Sequence, residues 1–561
     1  MTRTGKSPRM AGMVGLGRIR IHRKKEAFLL NASALVLLAG LLTACAGANT
    51  TAPTSSRDTV QRLSAIELFS AGFTQISDKY IETVPLNQLA LEGVRGLSAI
   101  DPSLTVLHDG QTIRLLSAER EIARFQTPGN AAALEPSAWA GLTADVLQAA
   151  RNASASVQRE KTEKIYEAVF DGMLSTLDIY SRYAGRKQAE RNRDRRDGFG
   201  GIGIRFRFKR DEMQVYRVLE NTPAERAGLK KGDIITHVGD VPVKGLKARD
   251  IVAQLHGPID SLVTLTVRRA DEKSPRSFEI KRSLIVPNTV TSSLKDGIAF
   301  LRIRSFNHMT AERTARRVRE AQEKTGGRLK GVVLDLRGNP GGLLKQAIRI
   351  ADLFLKKGSI VSTRGRHQDS YQYYEADTDD IIDGRPLAVL VDGKSASAAE
   401  VLAAALQDSG RAVIIGTTSY GKGTVQTVIR LPNNGEMTLT WSRLHSPAGY
   451  IFHNLGVLPS VCTSGQDQGA AGSIRAAIKQ HARTLAALDT WRRSNGESDE
   501  KRNRLREFCP PERRRKDIET EVAARLLREP ALYARTVTAA PDLARAPEAG
   551  GRELSFQPPA P

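Results

Sequence analysis

Three stretches between residues 335 and 426 combine side chains able to react with a backbone open enough to admit a substrate. The last is Ser419-Tyr420-Gly421-Lys422-Gly423-Thr424-Val425-Gln426. A lysine between two glycines is an unusual surface choice, because the glycines free the backbone and permit close packing around the amine. If Lys422–Gln426 is extended, Lys422, Thr424 and Gln426 project from one face. Gly-Lys-Gly-Thr invites a phosphate-loop reading, but Gly423 stands where that motif needs Ser or Thr. Upstream, Lys394-Ser395-Ala396-Ser397-Ala398-Ala399-Glu400 follows the apolar run Val389–Val391. Its small residues admit a substrate backbone, and a serine at a helix start has partly positive surroundings. The segment equally fits a helix cap, since Ser395 or Ser397 followed by Glu400 forms a capping box. The first stretch, Asp335-Leu336-Arg337-Gly338-Asn339-Pro340-Gly341-Gly342, breaks a strand into a glycine turn before a helix. Such a turn offers N–H groups to an anion or a developing oxyanion.

A serine hydroxyl is a poor nucleophile until an adjacent base takes its proton. A lysine can be that base only when neutral, so its pKa must fall from about 10.4 through burial in a dry site. A Ser–Lys pair is a known variant of triad logic. The competing signatures are missing: there is no Gly-x-Ser-x-Gly, none of the nine histidines adjoins a nucleophile motif, and no His-Glu-x-x-His spacing occurs. No metal or other cofactor is therefore expected.

These groups need a scaffold of alternating strands and helices, and the pattern from Ser293 to Ser464 supplies one. Gly331–Leu336, Pro386–Val391, Val413–Gly416 and Thr438–Ser442 read as strands, and Leu343–Phe354 and Ala396–Gln407 as helices. Before it lies a region of short strands. Gly200-Gly201-Ile202-Gly203-Ile204 leads to Val215–Leu219, then to Pro223-Ala224-Glu225-Arg226-Ala227-Gly228-Leu229-Lys230-Lys231-Gly232-Asp233-Ile234, a helix near Ala248–Leu255 and the strand Leu262–Arg268. This order resembles a PDZ domain. Its glycine loop can hold a carboxylate, and the strand after it can accept an extended peptide. From Thr59 to Tyr183 the pattern is mostly helical, with Leu63, Ile66, Leu68, Phe69, Phe73 and Ile76 at helical spacing. A similar phrase occurs at Glu92–Asp101 and at Gly172–Asp178, and Thr105–Ala123 between them alternates like a hairpin. Arg186–Asp197, with six basic and three acidic residues, reads as a solvated linker or helix face.

The chain has 561 residues, room for several domains, with 40% hydrophobic and 26% charged residues. That excludes a disordered chain and a polytopic membrane protein. Net charge is +23, but residues 1–26 hold eight Lys/Arg and one acid, which leaves 76 basic against 60 acidic residues elsewhere. The excess is thus partly a targeting device, and nucleic acid is not expected as a partner. Arg18, Arg20, Arg23, Lys24 and Lys25 precede a 16-residue uncharged run, Ala27–Leu42, ending in Leu42-Thr43-Ala44-Cys45. This reads as a secretory signal too short to span a bilayer. Leu-Thr-Ala-Cys resembles the lipobox of bacterial lipoproteins, in which the cysteine, here Cys45, is lipidated; a soluble secreted form or a signal anchor is the alternative. Met10 and Met13 are alternative starts. Ala46 stands where an inner-membrane retention signal carries Asp, which favours the outer membrane. In an oxidising compartment Cys462 and Cys509 either pair or remain separate thiols. The basic segment Lys501–Lys516 reads as a solvated tail in preference to a lipid contact.

Together the motifs resemble the C-terminal processing, or tail-specific, serine peptidases with an embedded PDZ domain (family S41), over most of the chain from Ile66 to Ser464. The resemblance implies a multidomain α+β protein: a helical N-terminal region, a PDZ-like β module and an α/β (ClpP/crotonase-like) protease core. The boundaries expected are 1–45 lipoprotein signal, 46–58 tether, 59–197 helical domain, 198–285 PDZ-like domain, 286–465 peptidase domain and 466–561 helical, basic extension with a disordered Pro/Ala-rich end. It implies Ser397 as nucleophile, Lys422 as base 25 residues later, Gln426 as the residue orienting that lysine, and Ala398 and Gly342 as oxyanion donors. Asp408 matches an acidic position of the family and reads as structural. Gly201, Ile202 and Gly203 would bind a terminal carboxylate, with Ile204 and Leu255 lining an apolar slot. Ala399 and Ser460 depart from the family's Ser and Asp without removing a proposed catalytic group. The implied partners are envelope proteins bound by their C-termini, an adaptor lipoprotein, and the membrane through Cys45. The rival reading is a silent PDZ scaffold of the envelope.

Overall fold

The structure is a computed structural model that describes residues 56–538, apart from 210–211, 466–468, 496 and 513–516. The expected signal segment, Cys45, the tether up to Ser55 and the Pro/Ala-rich end lie outside the described residues. No described helix is long and apolar enough to cross a membrane.

The helices Ser56–Lys79, Leu86–Arg95, Pro136–Ala153 and Thr162–Ser175 bury Phe69, Phe73, Trp139 and Phe170 in one core. Leu63 is an exception to the helical spacing and stays exposed. The repeated phrase marks a helix crossing. A Cβ on Gly96 would lie 2.1 Å from the Ala168 carbonyl oxygen, and one on Gly172 2.2 Å from that of Glu92. Only glycine allows backbones so close. The expected hairpin is a three-stranded antiparallel sheet, Leu104–His108, Thr112–Ser117 and Arg120–Gln126. The charged stretch forms the helix Arg186–Arg196 and is more than a solvated face. Arg193 and Arg196 donate at 3.0 and 3.1 Å to the buried carboxylate of Glu436, tying the helix to the protease domain.

The PDZ-like module is a sheet ordered Arg276–Lys281, Leu262–Arg268, Ile234–Val238, Glu212–Val218, Ile204–Lys209, with the helix Ala248–Leu255 packed on it. Its edge strand begins at Ile204, directly after the glycine loop.

The protease core is a sheet ordered Val290–Lys295, Ile298–Ile303, Gly331–Asp335, Leu387–Val391, Val413–Gly416, Val461–Cys462. The first pair is antiparallel and the rest parallel. Parallel strands are buried on both faces, which is why Gly331–Asp335 and Leu387–Val391 are buried throughout. One face meets the helices Thr310–Lys324, Leu344–Asp352 and Ala398–Asp408. The other, with Val333, Leu390 and Ile415, is covered by Ile474, Val522 and Leu526 from the C-terminal helices. The extension is thus a layer of the core. Nor are the described residues of its basic segment a solvated tail throughout: Lys501 and Arg504 are exposed, but Arg502 is 6% exposed, and Cys509 is buried and joined to Cys462 by a disulfide. A second sheet, Gln372–Ala376, Gly358–Arg364, Glu436–His445, Thr424–Arg430, carries the segment after Lys422, with Arg182–Ala184 paired to Glu436–His445.

Candidate active site

Ser397 caps the N-terminus of the helix Ala398–Asp408 with φ 57° and ψ −118°. This left-handed backbone costs a non-glycine residue roughly 1–3 kcal/mol, and here it lifts the serine out of the helix line. The glycine turn lies against it. A Cβ on Gly341 would come within 2.9 Å of Ser397 Cβ, and the Asn339 carbonyl accepts from Ala396 N at 3.0 Å. Asn339 is fully buried, and its side-chain oxygen accepts from Gly341 N at 2.9 Å. That bond uses the Gly341 donor, whereas Gly342 N and Ala398 N donate to no acceptor among the described residues. Ser395 behaves differently. It is fully buried, its hydroxyl donates to the Leu336 carbonyl at 2.9 Å, and its own carbonyl accepts from Tyr420 N at 2.9 Å.

Glu400 joins the serine and lysine segments. It is fully buried, and its Oε2 accepts from Ser397 N at 2.7 Å and from Lys422 N at 2.9 Å. Its Oε1 accepts from Gly421 N at 2.6 Å and Ser419 Oγ at 2.5 Å. Burial pushes this carboxyl up, and the four donors oppose that push. One oxygen therefore holds the backbones of Ser397 and Lys422 side by side.

The Lys422 amine sits 4.6 Å above the Tyr180 ring. Burial, helped by the Arg182 charge, lowers its pKa from 10.5 to about 8, against the opposing pull of Asp178 and Glu400. The flanking glycines are needed where the chain is tight: a Cβ on Gly423 would lie 2.0 Å from His453 N. Strand alternation does not run through this segment as expected. The strand starts at Thr424, and its register shifts between Val425 and Gln426. Gln426 still reaches back, its amide donating to Thr424 Oγ1 at 2.9 Å and Thr440 Oγ1 at 3.2 Å. Thr440 in turn donates to Asp178 at 3.1 Å.

Asp408 is fully buried, 2.9 Å from Arg492, and accepts from Ala448 N. It holds the far end of the helix Ala398–Asp408. In the PDZ-like module, Ile202 N and Gly203 N donate to no described acceptor, and Gly203 has φ 85° against Thr222. Ile202 and Leu255 are core residues, and Ile204 is half-buried beside them. From the sequence alone Glu400 is only a cap partner, and Tyr180 has no role. The capping-box spacing was the one signal for Glu400. Tyr180 has no local signal, because it lies 242 residues before Lys422. Among the described residues, no group of three or more His, Cys, Asp or Glu could hold a metal ion.

The profile of peptidase family S41 matches residues 297–462, and a PDZ domain profile matches 214–269. The chain is 39% identical over 301 residues to a carboxy-terminal-processing protease of Bartonella bacilliformis, covering 53% of this chain and 69% of that one. It is 32% identical over 326 residues to the carboxy-terminal processing protease CtpB of Bacillus subtilis, covering 57% and 67%. A solved photosystem II D1 C-terminal processing protease is 26% identical, covers 67% of this chain and 92% of its own, and superposes with a TM-score of 0.33. The fold and the two profiles define a serine-type peptidase of mixed helix and sheet with an embedded PDZ domain. The chain belongs to the carboxy-terminal processing proteases of family S41.

Proposed function

We propose that this protein is an exported endopeptidase in which Ser397 and Lys422 form the catalytic dyad. The observation that carries this reading is the shared Glu400 oxygen, which sets the two backbones together while Lys422 is held near pKa 8. The neutral Lys422 amine takes the Ser397 hydroxyl proton as Oγ attacks the scissile carbonyl. The oxyanion that forms meets the unengaged N–H groups of Ala398 and Gly342. Collapse breaks the C–N bond, and the ammonium of Lys422 gives its proton to the leaving amine. Water, deprotonated by the same lysine, then releases the acyl group from Ser397. Both Gln426 amide protons are committed to threonines, so its carbonyl oxygen is the atom that would orient Lys422.

The PDZ-like module, 198–285, reads substrate C-termini, with Ile202 N and Gly203 N offered to the carboxylate and Ile204 and Leu255 to the last side chain, whereas Gly201, expected beside them, sits in the strand Phe199–Gly201 paired with Ser283–Ile285. We keep the domain limits 59–197, 198–285 and 286–465 as part of this proposal and group 466–538 with the protease core, which the packing of Ile474, Val522 and Leu526 on its sheet supports. The signal-like start supports export and lipidation at Cys45, and the Cys462–Cys509 bond supports an oxidising compartment, the periplasmic side of the envelope. Envelope proteins and an adaptor lipoprotein are the partners this setting implies. The test is cleavage of a peptide with a free apolar C-terminus by wild type, Ser397→Ala and Lys422→Ala, each checked for fold by circular dichroism. Cleavage by wild type alone supports the dyad; cleavage by either folded variant at the wild-type rate refutes it.

A further inference from the structure

The segment after the family-matched stretch lies against the loop that carries Lys422. Arg506, at the end of the helix Asp499–Arg506, donates from Nη1 to the Leu455 carbonyl at 2.6 Å and from Nη2 to the Ser419 carbonyl at 3.0 Å. Its guanidinium fills space that only glycines leave open: a Cβ on Gly421 or on Gly456 would lie 3.2 Å from Nη1. It is also a half-buried cation attracted to the Glu400 carboxylate. The backbone around it is tied down on several sides. Arg502 donates to the His453 carbonyl, Trp491 Nε1 to the Gly456 carbonyl at 3.1 Å, and Glu512 N to Thr417 Oγ1 at 3.1 Å. Cys509, three residues on, is bonded to Cys462, whose strand pairs with the end of Val413–Gly416, the strand leading into the lysine loop.

We infer that Arg506 is a positioning residue for Lys422. With the Cys462–Cys509 bond as its anchor, it holds Ser419–Gly421 so that the Gly421 and Lys422 N–H groups meet Glu400. The C-terminal segment 498–512 is thereby a strap of the catalytic loop. The inference rests on the reading of Lys422 as the base. A lone packing role would also place an arginine here, but it would not require its guanidinium to tie the Ser419 carbonyl of this loop to the Leu455 carbonyl of the neighbouring segment. Nor would it place the cation beside the carboxylate that joins nucleophile and base. Without Arg506 the loop loses the charge-assisted bond at Ser419, the neighbouring segment loses the one at Leu455, and water is admitted to an amine that faces Tyr180, Arg182, Asp178 and Glu400. Hydration favours the ammonium, so the acid limb of activity moves to higher pH.

The experiment compares wild type, Arg506→Ala, Arg506→Lys and Lys422→Ala in peptide cleavage across pH, with thermal unfolding of each. Arg506→Ala should lower kcat roughly 10–100-fold with KM nearly unchanged, shift the acid limb upward and recover activity when guanidinium is added at low, non-denaturing concentration. Arg506→Lys, which keeps the charge and one bond, should fall between it and wild type. An inactive Lys422→Ala beside an Arg506→Ala that keeps the wild-type kcat and pH profile overturns this inference alone. So does a loss of kcat in Arg506→Ala that only follows its folded fraction, with no pH shift and no rescue. If Arg506→Ala does not fold, an Arg506→Lys with wild-type kcat and acid limb overturns it equally. Wild-type activity in Lys422→Ala overturns the dyad itself.

Discussion

Replacing Lys422 by methionine should stabilise the protein at neutral pH while ending its activity. The amine's pKa falls from 10.5 to about 8 on folding, chiefly through burial. The unfolded chain therefore binds more protons than the folded one wherever the lysine is charged in the former and neutral in the latter. At about 1.4 kcal/mol per pH unit, the depression corresponds to a penalty of roughly 3 kcal/mol for the charged amine. Because the folded pKa is depressed, the penalty is fully present below pH 8. It fades as pH rises from about 8 to 10.5, and is gone above that. Methionine fills a similar volume without a charge but forfeits the contact with the Tyr180 ring, worth about 0.5–1 kcal/mol. A net gain of roughly 2–3 kcal/mol is expected at pH 7, shrinking toward zero near pH 11. Urea unfolding of wild type and Lys422→Met at both pH values reads this directly. Equal stability at pH 7, or a difference that does not change with pH, would refute the claim that the amine is held dry.

Ser395→Ala should keep cleavage and lose roughly 1–2 kcal/mol, since it removes a buried hydroxyl bond to Leu336; activity assays and denaturation on both serine variants check this, and loss in Ser395→Ala with retention in Ser397→Ala would reverse the assignment. Glu400→Gln cannot accept from all four donors with its amide end, so kcat should fall by about 10²-fold or more while the helix Ala398–Asp408 persists; steady-state kinetics beside circular dichroism would show it. Substrates with free C-termini should be cut about tenfold faster than amidated copies, because an amide forfeits charge-assisted bonds to Ile202 N and Gly203 N; equal rates would show that the module does not read tails. The Cys462→Ala/Cys509→Ala pair should lose up to about 4 kcal/mol, the loop entropy of a 47-residue separation, measured by thermal and urea unfolding.

The residues with chemistry were readable because each sits in a short local motif. Ser397 and Lys422 stand out by their small neighbours, and the buried strands Gly331–Asp335 and Leu387–Val391 by unbroken apolar runs. The contacts that make them a site were not readable. Glu400 looks like an ordinary cap partner until the chain folds back and brings Gly421 and Lys422 onto its carboxylate. The register shift at Gln426 arises from pairing with Glu436–His445, which no spacing within Thr424–Arg430 reveals. The C-terminal helices carry Ile518, Val522 and Leu526 at helical spacing, but nothing in that pattern says the partner is the far face of the protease sheet. Charge misled twice. Arg193, Arg196, Arg502 and Arg506 lie in basic runs that read as solvated, yet each meets a carboxylate or carbonyl of the protease domain.

The central claim is that Lys422 activates Ser397, and trapping the acyl-enzyme tests it most directly. A serine-directed active-site probe followed by peptide mapping should place one adduct on Ser397 in wild type. Labelling should rise with pH about a midpoint near 8, as the amine loses its proton, and should vanish in Lys422→Ala. An adduct on another serine, or labelling of Lys422→Ala at the wild-type rate and pH dependence, would contradict the account.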